Sequence, residues 1–497
     1  MAPDAAGSAD KIRKRRPSGR GARRGASPTE DNPGSPDGAW GMRRGARARE
    51  TGMIGKTPPQ GAPPRDGGCV TRRPGASDRH PPAGGRRTRG RGVRDTVAGA
   101  RHTADMGLLT AACAAYASLA AWLWLTLAQG MFWRTDVRLP PRTAPSHWPS
   151  VAIVVPARDE AEVLPRSLPS LIAQDYPGEA EVILVDDGST DGTGELAHRL
   201  AREHPGLPLT VTSPGDPAPG WTGKLWALRH GIGTARTAHA TEPDFLLLTD
   251  ADIAHEPDSL RELVAAATSA DLDLVSQMAR LRVVGLWERL VVPAFVYFFA
   301  QLYPFRRINR PSARTAAAAG GCVLLRTTAA VRAGIPDSIR QAVIDDVSLA
   351  RAVHRSGGRI WLGLAERVDS VRPYPALADL WRMVSRSAYA QLRHQPLLLA
   401  GTVAGLVLVY LVPPAALLTG LAAGRPAIAW AGGLAWLLMA GTYLPMLRYY
   451  RQPAALAALL PFTALLYLLM TVDSAVQHYR GRGAAWKGRT YPRPSDA

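Results

Sequence analysis

From residue 150 onward the apolar positions fall into short unbroken runs, each closed by a compact polar cluster. Val151-Ala152-Ile153-Val154-Val155 is wholly apolar and mostly β-branched, and it gives way at Pro156 to Arg158-Asp159-Glu160. A run without polar alternation suits a strand buried on both faces, the usual condition in a parallel sheet. The period then changes, because Leu164, Leu168, Leu171 and Ile172 share one helical face. Residues 181–185 read as a second strand ending in Asp186-Asp187-Gly188-Ser189-Thr190-Asp191-Gly192-Thr193, ahead of a helix over 194–204. Phe245-Leu246-Leu247-Leu248-Thr249 is a third, ending at Asp250-Ala251-Asp252, and Pro257-Asp258-Ser259 opens another helix. Alternating strands and helices with polar text at the strand ends predict an α/β domain. Its sheet is mostly parallel with helices on both faces, and its ligand lies in the crevice beyond the strand ends.

Longer apolar stretches flank this domain. Residues 107–129 carry no charge and are long enough for one helix across a bilayer. Trp122, Trp124 and Trp133 gather towards the end of that stretch, as an interfacial belt does. A cleaved signal peptide is the alternative, but the stretch is long for one and Trp-rich where small residues mark cleavage. After Pro396 come three more candidates, 397–423, 427–447 and 454–472, with Pro413-Pro414 leaving one of them open to a re-entrant course. Residues 286–305 are apolar and aromatic but interrupted by Glu288, Arg289, Pro293 and Pro304, which suits either an interfacial helix or an aromatic core segment.

Charge changes the picture less than its total suggests. Residues 1–105 hold 23 Lys and Arg against 10 Asp and Glu, so about +13 of the net +19 lies there. That segment is rich in Arg, Gly and Pro and has little to bury, so disorder is expected. It reads as an arm for anionic lipid or nucleic acid, as a solvated tail, or as text preceding a true start at Met106. A nucleic-acid-binding function rests on this tail alone; the remainder is nearly balanced, and nucleic acid is not an expected partner. Cys69, Cys113 and Cys322 lie far apart, form no metal-ligand spacing and suit a reducing compartment. The expected organisation is a basic tail over 1–105, a membrane anchor over 107–130, a chemical domain over 150–395, a membrane region over 397–472 and a basic tail over 473–497. In a chain starting at Met106, no Lys or Arg precedes the first helix while Arg134, Arg138 and Arg142 follow it, so the domain is expected in the cytoplasm of a multi-pass inner-membrane protein; with 1–105 retained both flanks are basic and the charge asymmetry no longer orients the helix. Three later crossings put the C-terminus outside, whereas Arg480, Arg482, Lys487 and Arg489 draw it inside.

Several polar clusters can carry chemistry. Asp250 and Asp252, where a buried strand stops, can reach a divalent cation together, and a cation there can hold a diphosphate; a solvated turn is the plain alternative. Asp186 and Asp187 form either a turn with a helix cap or a carboxylate pair that reads ribose hydroxyls and base N–H groups. Lys224, in Pro219-Gly220-Trp221-Thr222-Gly223-Lys224, sits in the first turn of a helix, where it suits a phosphate or is a surface lysine. Arg382 and Arg386 are four apart and could grip a phosphate or form a solvated stripe.

Pro156 with Arg158-Asp159-Glu160, the Asp186-to-Thr193 run and Asp250-Ala251-Asp252 resemble, in order and spacing, the family 2 glycosyltransferases of the GT-A fold. Gly320-Gly321-Cys322 resembles that family's acceptor-side glycines, and Asp345-Asp346 resembles its catalytic-base motif. The likeness runs from about residue 150 to 395. Gly223-Lys224-Leu-Trp-Ala-Leu, the Asp-Asp form of the base motif and the trailing membrane helices are similar to the hopene- and hopanoid-associated members.

The resemblance implies that Asp186, with Asp187 beside it, reads the nucleotide, and that Pro156, Arg158 and Glu160 line the base and ribose pocket. It makes Asp250 a contact of the ribose or donor sugar, Asp252 the ligand of a divalent cation (Mg or Mn), and Asp346 the general base beside Asp345. The implied activity is inverting transfer of a sugar from a nucleotide diphosphate-sugar to a lipid acceptor such as a hopanoid. Polyprenyl phosphate, a ceramide-like lipid and a polysaccharide are alternative acceptors, and a nucleotide-binding transporter component is the alternative of another class. Two departures stand out. Many relatives have Asn in place of Asp159, and the Gln-x-x-Arg-Trp text of processive synthases is absent from Trp381-Arg382-Met383-Val384-Ser385-Arg386, which argues against polymerisation.

Overall fold

The structure, a computed structural model, describes residues 89–238, 240–481, 485–486 and 489–490. Most of the basic N-terminal segment and most of the C-terminal tail therefore lie outside the described residues. The first helix, α1 (Arg89–Leu127), begins well before the expected anchor. No proline lies between Arg89 and Leu127, so nothing ends the helix at Gly107, and the disorder expected over 1–105 does not extend to the backbone from 89 onward.

The chemical domain follows. In chain order its elements are β1 (Val151–Ala157), α2 (Leu164–Ile172), β2 (Ala180–Asp186), α3 (Thr193–Glu203), β3 (Leu209–Thr212), α4 (Gly223–Thr237), β4 (Phe245–Thr249) and β5 (Ile253–His255). Then come α5 (Ser259–Ser269), β6 (Leu274–Arg280), α6 (Leu286–Leu302), α7 (Phe305–Ile308), β7 (Cys322–Arg326), α8 (Thr327–Arg332), α9 (Asp345–Arg355), β8 (Ile360–Ser370) and α10 (Leu377–Gln391). One eight-stranded sheet has the order β3-β2-β1-β4-β7-β6-β8-β5. The apolar runs make its parallel half: β1 pairs with β2 (Val151↔Ala180) and with β4 (Val151↔Phe245), and every residue of β1 and β4 is buried. The rest is mixed. β7 runs antiparallel to both β4 and β6, and the short β5 pairs antiparallel with the far end of β8 (Ile253↔Ser370). The expected α/β fold of GT-A type is borne out, and the polar clusters of β1, β2 and β4 fall on one edge because parallel neighbours end on the same side.

Four segments are long and apolar enough to cross a membrane: Asp105–Leu127, Pro396–Ala422, Pro426–Tyr449 and Ala454–Tyr479. The second comprises α11 (Pro396–Leu406), a π-helical stretch Val407–Leu411 and α12 (Val412–Ala422). The last two carry α13 (Pro426–Tyr449) and α14 (Leu460–Tyr479). Pro413-Pro414 therefore lies within a continuous helical segment, not at a re-entrant break. Pro413 has no N–H to offer the carbonyl four residues back, at Val409. The indole of Trp122 supplies the missing donor, Nε1 to Val409 O at 2.6 Å, and Trp122 is fully buried there. In a water-poor layer an unpaired carbonyl is costly, so this bond ties α1 to α11 and α12. Trp122→Phe is expected to lower stability by about 1–3 kcal/mol, read as a lower melting temperature in detergent with the cleft chemistry unchanged.

Helix α6 proves to be a core element rather than an interfacial one. Glu288, Val291, Val292, Ala294, Val296 and Tyr297 are all buried, and Tyr297 shares a hydrogen bond with Thr442 of α13 at 2.8 Å. Burying Glu288 is tolerated because its carboxylate accepts from Val284 N and Gly285 N (both 2.7 Å) and Tyr374 N (2.8 Å) and pairs with Arg282. Although burial opposes ionisation, these hydrogen bonds hold its pKa below the ordinary value.

Candidate active site

The loop after β1 and the loop after β2 are stitched into one wall. Asp187 N donates to Ala157 O, Asp159 N to Ser189 Oγ, Thr190 N to Asp159 Oδ1 and Glu160 N to Thr193 Oγ1, each at 2.8–2.9 Å. Asp159 adopts a left-handed backbone (φ 50°), a conformation that Asp tolerates better than most residues. Arg158 donates from Nη1 to the carbonyls of Asp187 and Gly188, and lies 3.6 Å from the fully buried Asp187 carboxylate. Asp186 accepts from the backbone and hydroxyl of Ser189, so the turn role is present. Helix α3 is served by Asp191, whose carboxylate takes Thr193 N and Ala161 N.

Beyond this wall an open cleft is lined by Pro156, Lys224, Asp250, Gly320, Asp345 and Asp346 together with Leu225, Leu228, Leu248 and Leu349. Lys224 is not a surface residue. As α4 begins at Gly223, its side chain turns inward and Nζ sits 2.7 Å from Asp250 Oδ1 and 2.9 Å from Asp345 Oδ2. Burial alone would lower the lysine pKa, but the two carboxylates reverse this and hold it above its ordinary value. The same cation pulls Asp345 below the usual carboxylate range against the effect of burial, while burial prevails at Asp250 and raises it.

Asp345 and Asp346 form the first turn of α9, where Ile344 holds the N-cap position. Asp346 Oδ2 accepts from Gly320 N at 2.9 Å and Oδ1 from Val347 N at 2.7 Å. Burial, and then the neighbouring Asp345 charge, push its pKa up to about 7. A Cβ at Gly320 would make only an ordinary contact with Asp346 at 3.5 Å, whereas one at Gly321 would crowd Ile253 at 3.2 Å.

The pair Arg382 and Arg386 is separated. Arg382 is largely exposed and bonded to Asp379 (2.6 Å), whereas Arg386 lies close enough to Asp345 and Tyr374 to shift both.

Asp252 stands apart from Asp250. Its Oδ2 accepts from Arg372 Nε at 2.9 Å and Ser370 Oγ at 3.1 Å, and Arg372 Nη2 reaches on to Glu160 Oε2 at 2.6 Å. Sequence reasoning missed Arg372, Tyr374 and Tyr303; the last is buried, bonded by Gln391, and near Arg351 and Asp346. The available signal for Arg372 was its position just past the end of β8. Among the described residues no three His, Cys, Asp or Glu side chains cluster as a metal cage. A Mg or Mn ion that keeps its waters and takes substrate phosphates needs only one or two carboxylates, and Asp252 spends one of its two oxygens on Arg372 and Ser370. The residues fit such an ion.

Residues 149–390 match the family described as "Glycosyltransferase like family 2". The chain is 33% identical over 129 residues to an undecaprenyl-phosphate mannosyltransferase of Micrococcus luteus, covering 26% of this chain and 48% of the relative. It is 32% identical over 146 residues to a beta-monoglucosyldiacylglycerol synthase of Synechocystis sp., covering 29% of this chain and 28% of that one. The chain thus spans about half or less of these relatives. Among solved structures, a mannosyltransferase from Pyrobaculum calidifontis in complex with GDP-Man and Mn2+ aligns at 20% identity with a TM-score of 0.46, covering 75% of this chain and 99% of that one.

Proposed function

We propose that this chain, a family 2 glycosyltransferase through residues 149–390, moves a sugar from a nucleotide diphosphate-sugar to the hydroxyl of a membrane lipid such as a hopanoid. The observation that carries this reading is the placement of Asp346. It is a half-buried carboxylate whose pKa is pushed up to about 7 by desolvation and the Asp345 charge; it lines the same cleft as Asp250 and lies near Tyr303 at the end of α6. In this reading the wall formed by Arg158, Asp186 and Glu160 receives the nucleoside. Asp346 takes the acceptor hydroxyl proton, the acceptor oxygen bonds to the anomeric carbon, and the carbon–oxygen bond to the diphosphate breaks on the opposite face, releasing nucleoside diphosphate with inversion. Asp252 would hold a divalent cation, which when bound neutralises charge developing on the diphosphate. Lys224 keeps Asp345 ionised and fixes the distance between donor and acceptor carboxylates.

A lipid phosphate is the second reading for the acceptor, favoured by Arg386 beside Asp345. In this reading the catalytic domain faces the cytoplasm, which Arg134, Arg138 and Arg142 after α1 support for a chain that starts at Met106. Both ends of 454–479 are bound to that domain: Tyr449, just before it, donates to Ala365 of β8, and Asp473 and Tyr479 bond Trp381 and Tyr389 of α10. That segment then lies along the membrane face, two crossings follow the domain, and Arg480 stays on its side.

Membranes carrying the chain, given labelled nucleotide sugars and total lipid extract, are expected to form one labelled lipid. Mass analysis of that lipid distinguishes an alkali-stable glycoside from an acid-labile phosphodiester. No labelled lipid with any donor would overturn the reading.

A further inference from the structure

Asp252 is engaged before any ligand arrives. The guanidinium of Arg372 pairs with Asp252 at 2.9 Å and with Glu160 at 2.6 Å, so a single side chain joins the cation-binding carboxylate to the nucleoside wall. Its backbone is held in place. Val371 N donates to Asp252 O at 2.8 Å, Arg166 donates to Val371 O, and Tyr374 N donates to the buried Glu288. The register Ile253↔Ser370 between β5 and β8 brings Val371 and Arg372 alongside Asp252. Lys224 does the equivalent for Asp250, tying it to Asp345. Each carboxylate of the Asp250-Ala251-Asp252 turn therefore carries its own protein cation, and a bare divalent ion approaching Asp252 must compete with the guanidinium already paired to it.

We propose that Arg372 is an internal competitor of the divalent cation, so that the metal occupies Asp252 only together with the nucleoside diphosphate. Resting on the donor reading above, the inference is that the incoming diphosphate offers Arg372 and Lys224 new anionic partners and frees Asp252. By reciprocity, metal and nucleotide then raise each other's affinity. Arg372 is a positioning residue in this scheme, and its effect is read in metal affinity rather than in turnover.

The test is a Mn2+ titration of the full chain in detergent, followed by the paramagnetic resonance of free Mn2+. Without nucleotide, Arg372→Gln is expected to bind Mn2+ about tenfold more tightly than the unaltered chain, and adding Asp252→Asn to it should erase the gain. Unchanged affinity in Arg372→Gln, or a gain that survives Asp252→Asn, overturns the proposal. Should Arg372→Gln fail to fold, Arg372→Lys carries the test. A lysine lacks the guanidinium fork that spends Nε on Asp252 and Nη2 on Glu160, so its hold on Asp252 is weaker and a gain of about threefold is expected; no gain overturns it. Nucleoside diphosphates form a separate arm. Failure of every one of them to tighten Mn2+ in the unaltered chain counts against the donor reading, whereas the nucleotide-free comparison judges Arg372.

Discussion

Asp346→Asn is expected to reduce sugar transfer by about a thousandfold at neutral pH, with nucleotide-dependent Mn2+ binding retained and the melting temperature only modestly lowered. Asparagine keeps the shape, but its one carbonyl oxygen can accept from only one of Gly320 N and Val347 N, and it cannot take a proton. The pH profile gives the sharper reading. Burial and the Asp345 charge put Asp346 at about 7, so below that value the group is protonated and cannot act as a base. In the unaltered enzyme kcat/KM should climb as pH rises through about 7 and then level off. The variant should show its residual rate without that limb, and a persistent limb would assign the base elsewhere.

Lys224→Met has the second largest expected effect. Lys224 is mostly buried between Asp250 and Asp345, and its removal leaves two carboxylates sharing one cleft without their cation. Breaking a buried pair in this way costs about 3–5 kcal/mol locally, and transfer at pH 7 should fall by about a hundredfold. A specific signature accompanies the loss. Lys224 opposes the burial effect at Asp346, so without it the Asp346 pKa rises and the acid limb moves above 7. The rate at pH 9 should therefore recover part of the deficit. A uniform loss at every pH would reduce Lys224 to a purely structural role.

The parts of this site that were legible in the sequence share one physical property. β1, β2 and β4 are parallel neighbours buried on both faces, so they appear as unbroken apolar runs, and their ligand-facing residues must follow immediately in the chain. Arg158, Asp186, Asp250 and Asp252 were readable for that reason. Arg372 was not. It meets Asp252 across 120 residues through the antiparallel pairing of β5 with β8, and a three-residue strand such as β5 has no period to detect. Lys224 was found but its partners were not, because a first-turn lysine looks the same whether it faces solvent or two carboxylates. Helix α6 was ambiguous for a similar reason: its apolar and aromatic content suits a lipid surface and a protein interior equally, and only the partners of Glu288 and Tyr297 distinguish them.

The burial of α6 bears on how the molecule can be divided. Val154 and Ile183 of the sheet belong to the same continuous apolar cluster as Tyr297 of α6, Tyr443 of α13 and Met470 of α14. Residue 390 thus ends a unit of sequence without ending a unit of packing. A fragment cut there would present the α6 face bare to water, so the shortest fragment that keeps this interior closed includes α13 and α14, and biochemical dissection must begin from the membrane-embedded whole.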